Sequence, residues 1–227
     1  MNTSVMAPKL PLQLSYEDRT LVEINAADGD LFLSLDTVTS NARRANSTFA
    51  MCKRLCQRVY GELYPDYEME AEEVYDNCAW IFYTKSEGQI NGMMRVCFDS
   101  QYGLPVQPSL SSEIAALRAC NVKIAEPGRF VIDNADGLYA KYMKAIYQLA
   151  VLSDVDTFLL QVRDEHANFY QRCCGAVELD STKAPPGCTN LCWSIPDTHS
   201  RFFRAFGRDQ TQLESFCNAK EVGYENC

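Results

Sequence analysis

Ala125-Glu126-Pro127-Gly128-Arg129-Phe130-Val131-Ile132-Asp133 is the stretch on which the fold reading turns. It has the apolar content of a strand, with Pro127 and Gly128 in its middle. Proline offers no N–H to a ladder, and glycine inside a strand often marks a bulge. A bulge splays a strand from its neighbour and bares backbone N–H groups, which suits a developing oxyanion. Glu126 and Arg129 are three apart, so a regular strand would point them to opposite sides. A bulge at Pro127-Gly128 would bring them to one side.

Working outward, residues 138–152 are the clearest helix, with Leu138, Tyr142, Ile146, Leu149 and Ala150 on one face. A strand follows at 157–162, a helix at 164–174 ended by Gly175, and a strand at 176–179. Residues 191–195 read as a last strand. Upstream, 78–83 and 90–98 flank a turn at Ser86-Glu87-Gly88-Gln89 and form an antiparallel hairpin. The second strand puts Ile90, Met94, Val96 and Phe98 on one face and Arg95 on the other. Ser111 or Ser112 is positioned to cap a short helix running to Ala119. Residues 20–24 are a short strand, and 41–63 a long helix with an apolar stripe through Phe49, Cys52, Cys56, Val59, Tyr60 and Leu63. The expectation is an α/β fold, a mixed and mostly antiparallel sheet flanked by helices. Residues 1–18 form an arm, 19–196 the domain, and 197–227 a helical extension.

The chain has 227 residues, enough for one domain with a substantial core. A net charge of −9 excludes general nucleic-acid binding. No apolar run approaches the roughly 20 residues of a membrane span. The N-terminus lacks the apolar core of a signal peptide, so a cytoplasmic protein is expected. The 11 cysteines are then read as free thiols. Cys188 and Cys192 look like half of a zinc site, but no second half has the spacing, and no metal is expected.

Charge is unevenly spread. Arg43, Arg44, Lys53, Arg54 and Arg58 fall on the long helix with no acid among them, while 64–76 is strongly acidic. Arg201, Arg204 and Arg208 share a helical face near the C-terminus. A solvated helix face is the plain reading of the first cluster; a docking patch for an anionic partner is the functional one.

These motifs together resemble the GNAT acyltransferase superfamily, in the branch of the N-acyl amino acid synthases and acyl-homoserine-lactone synthases. The likeness spans about residues 52–179. It rests on Arg58-Val59-Tyr60, the hairpin Glu87 to Arg95, Gly103-Leu104-Pro105 with Glu113 to Ala119, Glu126-Pro127-Gly128-Arg129-Phe130, and Asn168-Phe169-Tyr170 before Gly175. The resemblance implies transfer of an acyl group from a thioester to an amine. Glu126 would take the amine's proton, Arg129 would partner it, and Tyr170 would serve the leaving thiolate. Arg95, Arg58, Glu73, Asp76, Phe130 and Val131 would form the substrate site.

Two departures from the family pattern bear on the substrates. Asp133-Asn134-Ala135-Asp136-Gly137 lacks the glycine-rich cradle that holds the pyrophosphate of CoA, and its aspartates would repel one. That favours acyl carrier protein as donor over acyl-CoA. No tightly bound cofactor is implied, and Arg43, Arg44, Lys53 and Arg54 become candidates for docking the carrier. Cys56 stands where several relatives have another arginine, which leaves the amine acceptor open. Synthesis of an acyl-homoserine lactone from S-adenosylmethionine, CoA-dependent N-acetylation, and a non-catalytic acyl- or partner-binding domain remain as alternatives.

Overall fold

The computed structural model describes residues 20–24, 42–65, 74–133 and 137–206. Among the described residues, seven strands form one sheet: β1 (Thr20–Glu23), β2 (Ala79–Ser86), β3 (Gln89–Phe98), β4 (Ile124–Ile132), β5 (Thr157–Arg163), β6 (Val177–Glu178) and β7 (Cys188–Ser194). Their order across the sheet is β1-β2-β3-β4-β5-β7-β6. The β1–β2 and β4–β5 pairings are parallel and the other four antiparallel. The mixed, mostly antiparallel sheet is as the sequence predicts.

Five helices flank it: α1 (Ala42–Leu63), α2 (Ser111–Ala119), α3 (Leu138–Leu152), α4 (Asp164–Cys173) and α5 (Ile195–Phe206). The α1 stripe buries Phe49, Cys52, Leu55 and Cys56 against one face of the sheet, with Leu104, Val106, Leu110 and Ile114 beside them. The other face carries α3 and α5. There Tyr142, Tyr147, Phe158, Trp193 and Phe202 fill a largely aromatic core. The expected domain boundary after residue 196 falls inside α5. Phe202 is 1% exposed and stacks on Tyr147 at 4.3 Å, so this helix belongs to the core. Residues 1–18 and 207–227 lie outside the described residues.

Three local expectations are corrected. First, α2 is capped by Leu110, without a side-chain cap, and the Ser112 hydroxyl turns to Glu113. Second, Ile90 lies on the α1 face with Met93 and Cys97 rather than with Met94 and Val96. Thr84 pairs with Gly92 and Lys85 with Ile90, so Asn91 is an extra residue that inverts the alternation. Third, the β4 bulge sits later than expected. Met93 pairs with Val131 and Arg95 with Gly128, which places the extra residue at Arg129-Phe130. Arg129, not Gly128, adopts the left-handed backbone, with φ +52.

Cys188 and Cys192 stand on one strand. At a rise of about 3.3 Å per residue, four residues separate them by roughly 13 Å, too far to share a metal ion. Among the described residues no group of three or more ligating side chains could hold one, and no helix is long and apolar enough to cross a membrane.

Candidate active site

The site begins where β4 leaves β5. These parallel strands pair only at Ile124↔Thr157 and Ala125↔Phe158. Glu126 is the first β4 residue beyond the last pair. It is 7% exposed, and its carboxylate accepts the Val106 backbone N–H at 2.7 Å. The segment carrying Val106 is pinned by Leu104, Val106 and Leu110, all buried. It is also held by Ser109, whose hydroxyl donates to the Val106 carbonyl and accepts from the Gln161 amide of β5. The carboxylate is therefore buried and held in one orientation.

The bulge does what the spacing requires. Glu126 meets a loop of the α1 face, and Arg129 lies over the Tyr60 ring of α1 at 5.7 Å. Both side chains therefore serve the same face. Phe130 falls on the other face, 5.2 Å from the Tyr139 ring and 5.1 Å from Tyr142. Val131 returns to the α1 face and is buried.

Arg95 is 4% exposed and binds Asp76 at 2.9 Å; Lys53 reaches the other Asp76 oxygen at 3.4 Å. Asp76, in a 3-10 turn (Val74–Cys78), is 1% exposed. Two cations thus share one buried carboxylate. Arg95 stands opposite Gly128 on β4, and a Cβ on Gly128 would meet nothing within 4 Å. Open space therefore adjoins the guanidinium's strand partner, between Glu126 and Arg129.

Lys53 was expected on a docking surface. It is 9% exposed and faces inward, because it lies one turn from the buried Phe49 on the inner stripe of α1. Arg54 is exposed. Arg58 pairs with Asp133 at the end of β4 and with Glu62 one turn on. The side chains of Arg43 and Arg44 and all of Glu73, Arg208 and residues 134–136 lie outside the described set.

Tyr170 is on α4. Cys174 N–H donates to its carbonyl at 2.9 Å, and Gly175 (φ +71) then turns the chain. A Cβ on Gly175 would strike Thr198 at 2.9 Å, so α5 closes directly over this turn. Burial pushes the Tyr170 phenol well above the ordinary range; Tyr139 works against that rise and Cys174 adds to it. Tyr170 therefore stays protonated at neutral pH. The Tyr139 phenol is raised too, first by burial and then by Tyr170.

Comparison with known proteins identifies the family. The family model of the N-acyl amino acid synthase FeeM matches residues 51–193. The chain belongs to that family. It is an acyltransferase. Among solved structures, FeeM, an N-acyl amino acid synthase from uncultured soil microbes, is similar with a TM-score of 0.58 and 18% identity over 68% of this chain and 95% of that one. The acyl-homoserine-lactone synthase LasI gives 0.51 and 15%, covering 73% and 92%. The CoA-dependent synthase BjaI, solved with SAM and isopentyl-CoA, gives 0.50 and 13%, covering 89% and 99%. At these identities the structures speak for the fold. No curated protein sequence matches the chain.

Sequence reasoning missed Val106, Gln161 and Tyr139. The apolar spacing of Leu104, Val106 and Leu110 inside an apparent loop was the available signal for the first. Nothing local marks the other two, which reach the site through the fold.

Proposed function

We propose that this acyltransferase moves a long-chain acyl group from an acyl-carrier-protein thioester to the amino group of an amino acid or a related amine. The observation that carries the proposal is the buried Glu126 carboxylate at the point where β4 and β5 part, on the same face as Arg95 and the open space at Gly128. A guanidinium beside open space suits the carboxylate of an amino acid acceptor. Glu126 takes a proton from the ammonium or the attacking amine, directly or through water. The neutral amine adds to the thioester carbonyl, and the tetrahedral oxyanion collapses to amide and thiolate. Tyr170 gives the thiolate its proton.

The donor is read from charge. The segment after β4 has aspartates where a CoA enzyme places glycines, and the first of them, Asp133, is paired with Arg58. Exposed arginines at 54, 172, 201 and 204 stand on a chain of net −9, where an acidic carrier can meet them.

The test is product analysis by mass spectrometry. Purified protein is given a long-chain acyl-carrier protein or the matching acyl-CoA, each with an amino acid mixture or with S-adenosylmethionine. The expected product is an N-acyl amino acid from the carrier donor. A lactone from S-adenosylmethionine, or turnover with CoA alone, would overturn the substrate assignment. Glu126→Gln is expected to lower kcat by about 10²-fold or more, the scale of general-base catalysis, with the fold intact by circular dichroism.

A further inference from the structure

Gln161 is the first exposed residue of β5; Thr157 to Leu160 before it are buried. Exposure begins where β5 has parted from β4. Counting on from the last pair, Ala125↔Phe158, Gln161 stands level with Gly128 across the split. A Cβ on Gly128 would meet nothing within 4 Å, so open space lies at this level. Leu159 belongs to the α1 face, and Gln161, two residues on, shares that face with Glu126.

The Gln161 side chain is fixed. Its Nε2 donates to the Ser109 hydroxyl and to Asn190 Oδ1, both at 3.1 Å, and both partners are buried. The Ser109 proton goes to the Val106 carbonyl at 3.0 Å, so Ser109 can only accept from Gln161. That decides which end of the amide is nitrogen. Both Nε2 hydrogens are then taken, and Oε1 makes no hydrogen bond among the described residues. At the other end of the chain of bonds, the Val106 N–H holds Glu126 at 2.7 Å. One short segment, 106–109, therefore ties a carboxylate on β4 to a carboxamide on β5.

We propose that Gln161 orients the acceptor amine, its Oε1 accepting one N–H while Glu126 takes the proton of the other. The inference rests on the acyl-transfer reading above, in which Glu126 is the base. A neutral primary amine has one lone pair and two N–H bonds. With one N–H on Glu126 and one on Gln161, the lone pair is left for the thioester carbonyl. As the C–N bond forms, the carbonyl π pair moves to oxygen and the nitrogen becomes positive. Glu126 removes one proton. Gln161 exchanges none and keeps the N–H that remains in the amide product. Its hydrogen bond is strongest while the nitrogen is positive, so it favours the transition state over the bound amine. A secondary amine has a single N–H and cannot serve both groups.

The test is the preference, in kcat/KM, for an amino acid over its N-methyl form, with a long-chain acyl-carrier protein as donor. The amino acid is the one found in the product analysis above. Within each variant this ratio cancels any loss of folded enzyme. Gln161→Met is similar in size and lacks the acceptor. It should lower kcat for the primary amine about tenfold and reduce the preference by about the same factor, the scale of one hydrogen bond to a charged group. Gln161→Glu retains an acceptor oxygen and should keep the preference within about threefold of the parent. An unchanged preference in Gln161→Met would mean that the residue only supports Ser109 and Asn190, and would overturn the inference. So would an equal loss of preference in both variants. Either result leaves acyl transfer standing. A parent enzyme that forms no N-acyl amino acid would remove that reading, and the Gln161 role with it.

Discussion

The two faces of the sheet solve different problems with the same strands. The α1 face holds charge: Asp76, Arg95, Lys53 and Glu126 are buried there, with Arg129 beside them. The α3 and α5 face holds rings: Tyr147, Trp193 and Phe202 stack on one another, and Phe130, Tyr139 and Phe169 run on from them. Apolar packing tolerates a range of arrangements, whereas a buried charge has to be met by particular atoms. Removing a partner from the Arg95, Asp76 and Lys53 cluster should therefore cost stability and substrate binding together. On the ring face the two should separate.

The sharpest way to break that contrast is Asp76→Ala. It leaves the Arg95 and Lys53 charges together in the interior, and a loss of about 3–5 kcal/mol in urea unfolding is expected, with a raised KM for the acceptor. Phe202→Ala on the ring face should cost a similar amount, about 3–5 kcal/mol, through the cavity it opens. Here the KM for the acceptor should stay within about twofold, since α5 touches none of the charged groups. A changed acceptor KM in Phe202→Ala would mean that the two faces are coupled.

Gly92→Ala is a smaller perturbation. Its Cβ would lie 2.7 Å from the Thr84 hydroxyl and 2.8 Å from that of Tyr142, which are joined by a 3.1 Å hydrogen bond. Overpacking of this kind should cost about 1–3 kcal/mol and show in the melting temperature.

High pH acts on both faces. Burial pushes the Cys52 thiol on the α1 face from 9.0 up to about 12. A raised value means that its stabilising contribution is complete below pH 9 and is lost as pH climbs toward 12. Tyr142 on the ring face is also raised by burial, so its loss starts only above its ordinary value of 10.0. The buried Cys174 thiol is raised from the same 9.0, so Cys52→Ala should make the fall of the urea midpoint above pH 9 shallower than in the parent without abolishing it. The smallest effect is expected for Arg58→Ala. Its ion pairs with Asp133 and Glu62 are solvent-screened, so the urea midpoint should hardly move.

The strands and helices were legible because hydrophobic periodicity and the glycines at turns are local signals. The position of Glu126 was legible too, since Pro127-Gly128 announced an irregular strand. What the sequence hid was phase. Asn91 inverts one strand and Arg129 another, and neither is a glycine or proline that would mark the spot. Lys53 looked like one more surface cation because Asp76, which draws it inward, is 23 residues away. Tyr139 looked like one more helix aromatic because its neighbour Tyr170 lies beyond an intervening strand. In each case the deciding contact is non-local.

The two-rung pairing of β4 with β5 has a mechanical meaning. Strands β1 to β4 form one plate and β5, β7 and β6 another, joined by a seam only two residue pairs long. Such a seam resists sliding poorly on its own, so the load across it passes to the helices. The Tyr147, Trp193 and Phe202 stack, with Phe158 beside Trp193, acts as the clasp. The plates part beyond Ala125 and Phe158, and the clasp sits against Phe158 at the closed end. The enzyme is built like a clothes-peg, with its spring in α5.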